Sequence, residues 1–170
     1  MTTQDHINTH TISVLVDNEA GVLARVIGLF SGRGYNIDSL TVAEVDDGAH
    51  TSRITVVTNG TPMVIEQIKA QLGRLVPVHR VVDLTLETDS VERELALIKV
   101  SSKGESRVEA LRMSEAFRAC VVDATPDSFV FELTGRTEKI NAFISLMRPL
   151  GLKEVSRTGV AAIARGAEAM

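Results

Sequence analysis

One short segment of the chain has residue types suited to binding a small anion. Residues 17–23 join a predicted strand to a predicted helix, so the backbone N–H groups of about Ala20 to Leu23 are first-turn donors without an acceptor inside the helix. Together with the positive end of the helix dipole they can hold a carboxylate. Asn18 adds an amide that suits the charged groups of an amino acid. A simple capped turn, in which Gly21 eases the backbone, explains the same residues equally well.

A second polar residue follows the same helix. Asn36 comes just after the Gly34-Tyr35 corner, at the start of the next predicted strand. It is either a further polar contact for a ligand or an ordinary turn residue.

The rest of the sequence offers little that suits catalysis or metal binding. It contains no glycine-rich phosphate loop, no paired cysteine or histidine spacing and no nucleophile elbow. His6 and His10 fall in a predicted N-terminal arm, and His50 and His79 adjoin strands without a carboxylate or thiol cluster, so we expect no metal site. The single cysteine, Cys120, lies in an apolar run and is predicted to be a small core residue. We therefore predict neither a catalytic residue nor a cofactor in this chain.

The composition is that of a folded protein whose partners are metabolites or other proteins. Of 170 residues, 44% are hydrophobic and 24% are charged, which argues against extensive disorder. The net charge of -4 comes without a basic cluster, which argues against nucleic-acid binding. No apolar run approaches the roughly 18 residues of a membrane span, and the start of the chain is polar. We therefore expect no membrane association and a cytoplasmic location.

The first half of the chain shows the element order βαββαβ. The elements are a strand at 11–16, a helix from Gly21 to Gly34, strands at 37–43 and 52–57, a helix from Thr61 to Pro77 and a strand at 78–86. Gly34 supplies a left-handed residue at the end of the first helix. The turn Asp46-Asp47-Gly48 joins the middle strands as a hairpin. Thr61 is predicted to cap the second helix, with Pro62 in its first turn.

The second half repeats this order after a polar, acidic stretch at 87–92. Its elements are a strand at 95–100, a helix from Ser106, strands at 120–124 and 129–134, a helix from Thr137 and a final strand at 152–160. Ser106 and Glu109 have the spacing of a capping box. Thr137 is predicted to cap the last helix.

These patterns predict an α+β protein built from two ferredoxin-like domains. Each domain has an antiparallel four-stranded sheet with two helices on one face. We place an N-terminal arm at 1–10, the domains at 11–86 and 93–166, and a linker at 87–92. Because the other face of each sheet is predicted to be uncovered, we expect a partner there or at an open edge strand, most simply in a two-fold dimer.

Several blocks of the sequence resemble the regulatory (small) subunit of acetohydroxyacid synthase, also called acetolactate synthase. Residues 17–31 and 33–43 resemble the N-terminal ACT domain of that family, and further similarity occurs at 72–76, 92–100 and 156–166. The resemblance covers nearly the whole chain apart from its two ends. It implies that 11–86 is an ACT domain and that these domains pair side by side across a two-fold axis.

The resemblance also implies a function. In the family, valine binds between paired ACT domains, and the small subunit activates a catalytic large subunit and confers feedback inhibition. Thiamine diphosphate, magnesium and FAD are expected in that large subunit only. The residues that the resemblance implies to bind valine are Asn18, Gly21, Val22 and Leu23 of one chain with Asn36 and Ile37 of the other. Ala20 is added to them because its backbone N–H belongs to the same turn. Ala24 and Ala43 stand where substitutions in the family affect feedback, and Ala24 replaces a serine of some members.

Three other classes of protein fit less well. A free-standing amino-acid sensor that controls transcription needs a DNA-binding helix pair or a basic surface, and neither is visible. An RNA-binding module on the same frame needs stacking aromatic residues, which make up only 4% of the chain. An independent enzyme needs a catalytic constellation that the sequence does not show.

Overall fold

The computed structural model describes residues 6–170. Contacts divide the chain into two compact units: the first comprises the chain up to Val91 together with Val160–Met170, and the second is Glu92–Gly159. Residues 160–166, expected in the second domain, therefore group with the first. Of the predicted N-terminal arm, residues 1–5 lie outside the described residues, and Asn8 to His10 belong to the first strand.

The first unit has the predicted order βαββαβ. Its elements are β1 (Asn8–Asp17), α1 (Val22–Gly32), β2 (Ser39–Asp46), β3 (Thr51–Gly60), α2 (Pro62–Leu72) and β4 (Val78–Asp83). The strands form one antiparallel sheet in the order β2-β3-β1-β4. Because β2 is the first strand in this order, it is an edge strand. Two predicted helix-end residues are confirmed: Gly34 is left-handed with φ 71°, and the Val64 N–H donates to Thr61 Oγ1 at 3.4 Å.

Both helices of the first unit pack on one face of this sheet. Ile12, Val14 and Val16 alternate along β1 and are almost fully buried, as a strand with one face on a core requires. They share a core with residues of β3, α1 and α2, namely Ile54, Val56, Val22, Val26, Phe30, Ile65, Ile68 and Leu72. The apolar residues of each helix, which recur with the 3.6-residue period of an α-helix, thus face the sheet.

The opposite face of this sheet is covered, contrary to our prediction. The chain returns to it in a segment that we call the return segment, Val160–Ala164, which includes β9 (Ala161–Ala164). Val160 and Ala162 are buried there against Val57 and Leu84. The predicted single strand at 152–160 is therefore wrong: the strand that begins at Leu152 ends at Arg157, and Gly159, with φ 86°, turns the chain before β9.

The second unit repeats the same topology. It is built from β5 (Ser90–Ser101), whose first two residues group with the first unit, and from α3 (Gly104–Phe117), β6 (Cys120–Ala124), β7 (Ser128–Gly135), α4 (Thr137–Met147) and β8 (Leu152–Arg157). Four strands run antiparallel in the order β6-β7-β5-β8. The core joins the sheet to the helices through Ile98, Phe131, Ile140, Phe143 and Met147. β5 begins at Ser90, so it includes the last residues of the predicted linker 87–92.

Three local predictions in the second unit are wrong. Helix α3 begins at Gly104 after Lys103 and has no side-chain cap, so Ser106 lies within its first turn and forms no capping box. Thr137 is the first residue of α4 rather than its cap, and its hydroxyl donates to Glu94 at 3.3 Å. Cys120 is exposed, because β6 is an edge strand that is exposed along its whole length.

An ion pair with a buried carboxylate joins the start of this unit to its end. Arg157 donates two hydrogen bonds to Glu94, at 2.6 and 2.8 Å, and a third to Asn141 at 2.8 Å. The hydrogen-bonded Glu94 carboxylate raises the pKa of Arg157, against a smaller opposing effect of burial. Because the Glu94 side chain is only 4% exposed, loss of its partner would leave a buried charge unpaired.

None of the helices within residues 6–170 combines the length and the apolar character that a membrane crossing requires.

The tightest backbone approach in the second unit gives a test of this packing. A Cβ added to Gly151 would lie 2.0 Å from the Ser101 carbonyl oxygen, and its φ is 103°. Gly151→Ala should therefore lower the free energy of unfolding by roughly 3 kcal/mol or more, measured by urea denaturation. Gly104→Ala is the matched control, because that glycine also has a positive φ but no atom within 4 Å of an added Cβ; it should cost about 1–2 kcal/mol. Equal losses would contradict the packing described.

Candidate functional site

The turn between β1 and α1 has the backbone geometry of an uncapped helix start. Gly21 is the N-cap residue, with φ 88° and ψ -8°, and no side chain caps the helix. A left-handed conformation at this point explains why a glycine is present. Asn18, Ala20 and Gly21 are exposed, Leu23 is 37% exposed, and Val22 is buried at 3%. Of the predicted contact residues in this turn, Val22 thus packs into the core rather than facing solvent.

Two amides at this helix start have no acceptor. The Val22 N–H donates a long hydrogen bond of 3.4 Å to the Glu19 carbonyl, and the Arg25 N–H donates to the Gly21 carbonyl at 3.1 Å. The N–H groups of Leu23 and Ala24 have no acceptor among the described residues. No acidic side chain lies in the first turn of α1. No side chain of the first helical turn therefore neutralises the positive end of the helix dipole, so the free amides are suited to a carboxylate.

The turn is held in place from two sides. Asn18 N–H donates to the His50 carbonyl at 2.7 Å, and Asp17 N–H donates to the Pro77 carbonyl at 2.9 Å. The Asp17 carboxylate also contacts His79 Nε2 at 2.6 Å. The loop from α2 to β4 and the β2–β3 hairpin therefore fix the backbone from which α1 starts.

Three histidines have carboxylate neighbours that the sequence did not indicate. Besides His79 with Asp17, His10 and Asp83 form a buried pair at 2.7 Å, each 1% exposed. His10 therefore belongs to the folded sheet and not to an arm. His50 Nδ1 lies 3.8 Å from Glu44.

The group around His50 is not assigned a metal. Ligand atoms of Glu44, Asp47 and His50 lie within 4.8 Å of one another, and all three residues are exposed. Solvated carboxylates beside an imidazole are common on protein surfaces, and nothing buried or preorganised holds these three in a coordination geometry.

Asn36 and Ile37 lie in the loop between α1 and β2. The Asn36 carbonyl accepts a hydrogen bond from Thr58 Oγ1 at 2.5 Å, and its side-chain amide donates to Asp38, which also accepts from Asn59. The Asn36 side chain is exposed, while Ile37 is half-buried against the core of the first unit. The loop is thus ordered by its own hydrogen bonds.

Within one chain, these two groups of residues lie at opposite ends of the sheet. Asp17, which precedes the turn, pairs with Thr51, whereas Ser39, which follows Ile37, pairs with Val57. Thr51 and Val57 are six residues apart on β3, which corresponds to about 20 Å of strand. One chain alone therefore cannot bring Asn18 and Asn36 to the same small molecule.

The remaining predicted residues lie on exposed surfaces. Ala24 is exposed on α1, and Ala43 is exposed on β2. Sequence reasoning missed that β2 also exposes larger apolar side chains, Val42 at 42% and Val45 at 52%. The sequence could have indicated this exposure, because apolar residues occur on both faces of β2. In a strand with one face in solvent, apolar and polar residues normally alternate.

Each of the two units matches a known protein family. Residues 12–80 match the AHAS small subunit-like ACT domain, and residues 93–166 match the small subunit of acetolactate synthase. The first unit is thus an ACT domain. The α+β prediction of two βαββαβ units is confirmed.

Comparison with individual proteins agrees over almost the full length. The chain is 50% identical to the probable acetolactate synthase small subunit of Archaeoglobus fulgidus, covering 92% of this chain and 97% of that protein. It is 46% identical to the acetolactate synthase isozyme 3 small subunit of Escherichia coli, covering 94% and 97%. The crystal structure of the Thermotoga maritima small subunit superposes with a TM-score of 0.85 at 37% identity, covering 95% and 99%.

The chain belongs to the acetolactate synthase small-subunit family. The name of that family implies a regulatory role beside a catalytic subunit.

Proposed function

We propose that this chain binds valine between paired ACT domains and transmits feedback inhibition to a catalytic subunit, whose activity it also raises. The observation that carries the proposal is the pair of free amides at the start of α1, Leu23 and Ala24 N–H, in a first helical turn that has no acidic side chain. Backbone donors at a helix N-terminus favour a carboxylate.

The direction of β2 supports a site made by two chains. β2 is an edge strand with exposed apolar side chains, and such edges commonly pair with a second copy. If two β2 strands pair antiparallel across a two-fold axis, the beginning of one lies beside the end of the other. Asn36 and Ile37 of one chain then approach the β1–α1 turn of its partner, which removes the separation of about 20 Å within one chain.

Each part of valine has a complementary group in this arrangement. The carboxylate meets the amides of Leu23 and Ala24, and the amide oxygens of Asn18 and Asn36 suit the ammonium group. The isopropyl group contacts the exposed parts of the Leu23 and Ile37 side chains. Leucine and isoleucine should bind more weakly but measurably, because one methylene in an apolar pocket changes the binding free energy by about 1–3 kcal/mol.

The chemistry itself is assigned to the catalytic subunit. We propose that thiamine diphosphate, magnesium and FAD belong there and that this chain contributes no reacting group. Regulation then requires that valine bind one arrangement of the complex more tightly than another, since equal affinity for both would shift nothing.

A negative charge introduced at position 21 gives a direct test of the carboxylate site. Gly21→Asp should weaken valine binding roughly tenfold or more, because two negative charges about 4 Å apart repel by about 1–4 kcal/mol in water or near a protein surface. Isothermal titration calorimetry on the purified chain measures the dissociation constant. Gly21→Asn is the matched control, since asparagine has the same shape and tolerates a left-handed conformation. An equal loss in both variants would show that backbone strain, not charge, is responsible.

Mixing two defective chains tests whether the site is shared. Gly21→Asp and Asn36→Ala chains should each bind valine poorly. After joint unfolding and refolding, every mixed dimer should contain one site with both wild-type halves, so calorimetry should detect restored high-affinity binding. No recovery, with mixed dimers verified by mass spectrometry, would contradict a site built from two chains.

Reconstitution tests the regulatory role. The chain should co-elute with a catalytic acetolactate synthase subunit and increase its acetolactate formation, and valine should reverse that increase. Gly21→Asp should retain the activation and lose the valine response. Valine binding without any association with a catalytic subunit would instead favour a free-standing amino-acid sensor.

A further inference from the structure

The return segment is hydrogen-bonded directly to β2. Val160 N–H donates to Ser39 Oγ at 2.8 Å, and Thr41 Oγ1 donates to the Val160 carbonyl at 2.7 Å. Both backbone groups of Val160 are therefore satisfied by hydroxyls of a single strand. The Val160 side chain is 6% exposed and packs on Val57 and Leu84. This contact belongs entirely to the first unit.

The same strand continues from the loop that contains Asn36. Ser39 and Thr41 lie three and five residues after Asn36. Asp38 N–H bonds the Val57 carbonyl at 2.8 Å, next to the Ser39–Val57 pair of the sheet. A displacement of residues 36–38 would therefore change the position of the two hydroxyls that hold Val160.

Two residues before Val160, the chain is fixed within the second unit instead. Thr158 N–H donates to the Leu95 carbonyl at 3.0 Å, and its hydroxyl accepts from Leu95 N–H at 3.1 Å. Only Gly159, with φ 86°, separates this attachment from Val160. One of the two boundaries between the units falls at this point, between Gly159 and Val160. Val160 and Thr158 are thus attached to different units and are separated by one residue.

We propose that Ser39 and Thr41 are positioning residues that transmit the state of the valine site to the second unit through Val160. The inference rests on the proposed function, because it takes valine as the ligand that moves residues 36–38. The route runs through hydrogen bonds from β2 to Val160 and then along the covalent chain through Gly159 to Thr158. Hydroxyls at these two places on β2 serve this attachment and do not contact valine.

Hydrogen exchange on the full chain provides the first measurement. Valine should change the exchange rates of the β9 amides, Ala161 to Ala164, and of Leu95 and Thr158, followed by mass spectrometry or NMR. Calorimetry on the same sample reports whether valine binds. If valine binds and these amides keep their rates, the inference is overturned while the proposed function stands. If valine does not bind, the proposed function fails and the inference fails with it.

Variants separate transmission from binding. In Ser39→Ala with Thr41→Val, the dissociation constant for valine should be unchanged, whereas the valine-dependent change in β9 exchange and the inhibition of the reconstituted enzyme should be lost. Thr41→Ser keeps the donor and, made with Ser39 intact, should retain both responses. Thr55→Val is the matched control, because Thr55 is the cross-strand partner of Thr41 but makes no bond to Val160.

The outcomes are distinguishable even if the double variant is unstable. A thermal unfolding scan detects that case, and the single variant Thr41→Val, which preserves side-chain shape, then carries the test. Retained inhibition in a folded Thr41→Val chain, or an equal loss of response in Thr55→Val, would overturn the inference. A valine affinity that falls in parallel with the response would also overturn it, because the hydroxyls would then belong to the binding site.

Discussion

The position and direction of β2 at the edge of the first sheet constrain the whole regulatory arrangement. Because β2 has a neighbour on one side only, its free edge is open to a second copy of the chain. Because it runs from the Asn36 loop toward the β2–β3 hairpin, only an antiparallel partner strand brings that loop to the β1–α1 turn. The hydroxyls of Ser39 and Thr41 also hold the return segment on this strand. One edge strand is therefore common to the proposed assembly, the proposed ligand site and the proposed transmission.

Neighbouring residues hold the β1–α1 turn, the proposed ligand site, in a fixed conformation. The Asp17 carboxylate is hydrogen-bonded to His79, and no acidic side chain lies in the first turn of α1, so neither takes up the free amides of the helix start. The Asn18 amide bonded to the hairpin keeps the backbone in place before a ligand arrives. A preorganised site of this kind loses less entropy on binding than a turn that must first be ordered.

Two units of the same topology differ in how their sheets are completed. In the first unit the return segment buries Val57 and Leu84 on the sheet face opposite the helices, which a four-stranded domain otherwise leaves open. In the second unit β6 remains an exposed edge with Val121 and Val122 at 44% and 53% exposure. The chain thus crosses between the units twice, once within β5 between Val91 and Glu92 and once between Gly159 and Val160.

The sequence by itself determined the element order, the two βαββαβ units, the family and the turn at Gly21, because these depend on local periodicity, caps and glycine conformations. It located Thr61 as a cap, but it misplaced Ser106 and Thr137, since a capping pattern does not reveal where the preceding strand ends. Only the tertiary structure decided that Cys120 is exposed, that His10 is paired with Asp83, that Val160 returns to the first sheet, and that Asn18 and Asn36 lie at opposite ends of β2's sheet. These features depend on which strand lies at an edge and on contacts between residues far apart in sequence, which no local pattern specifies.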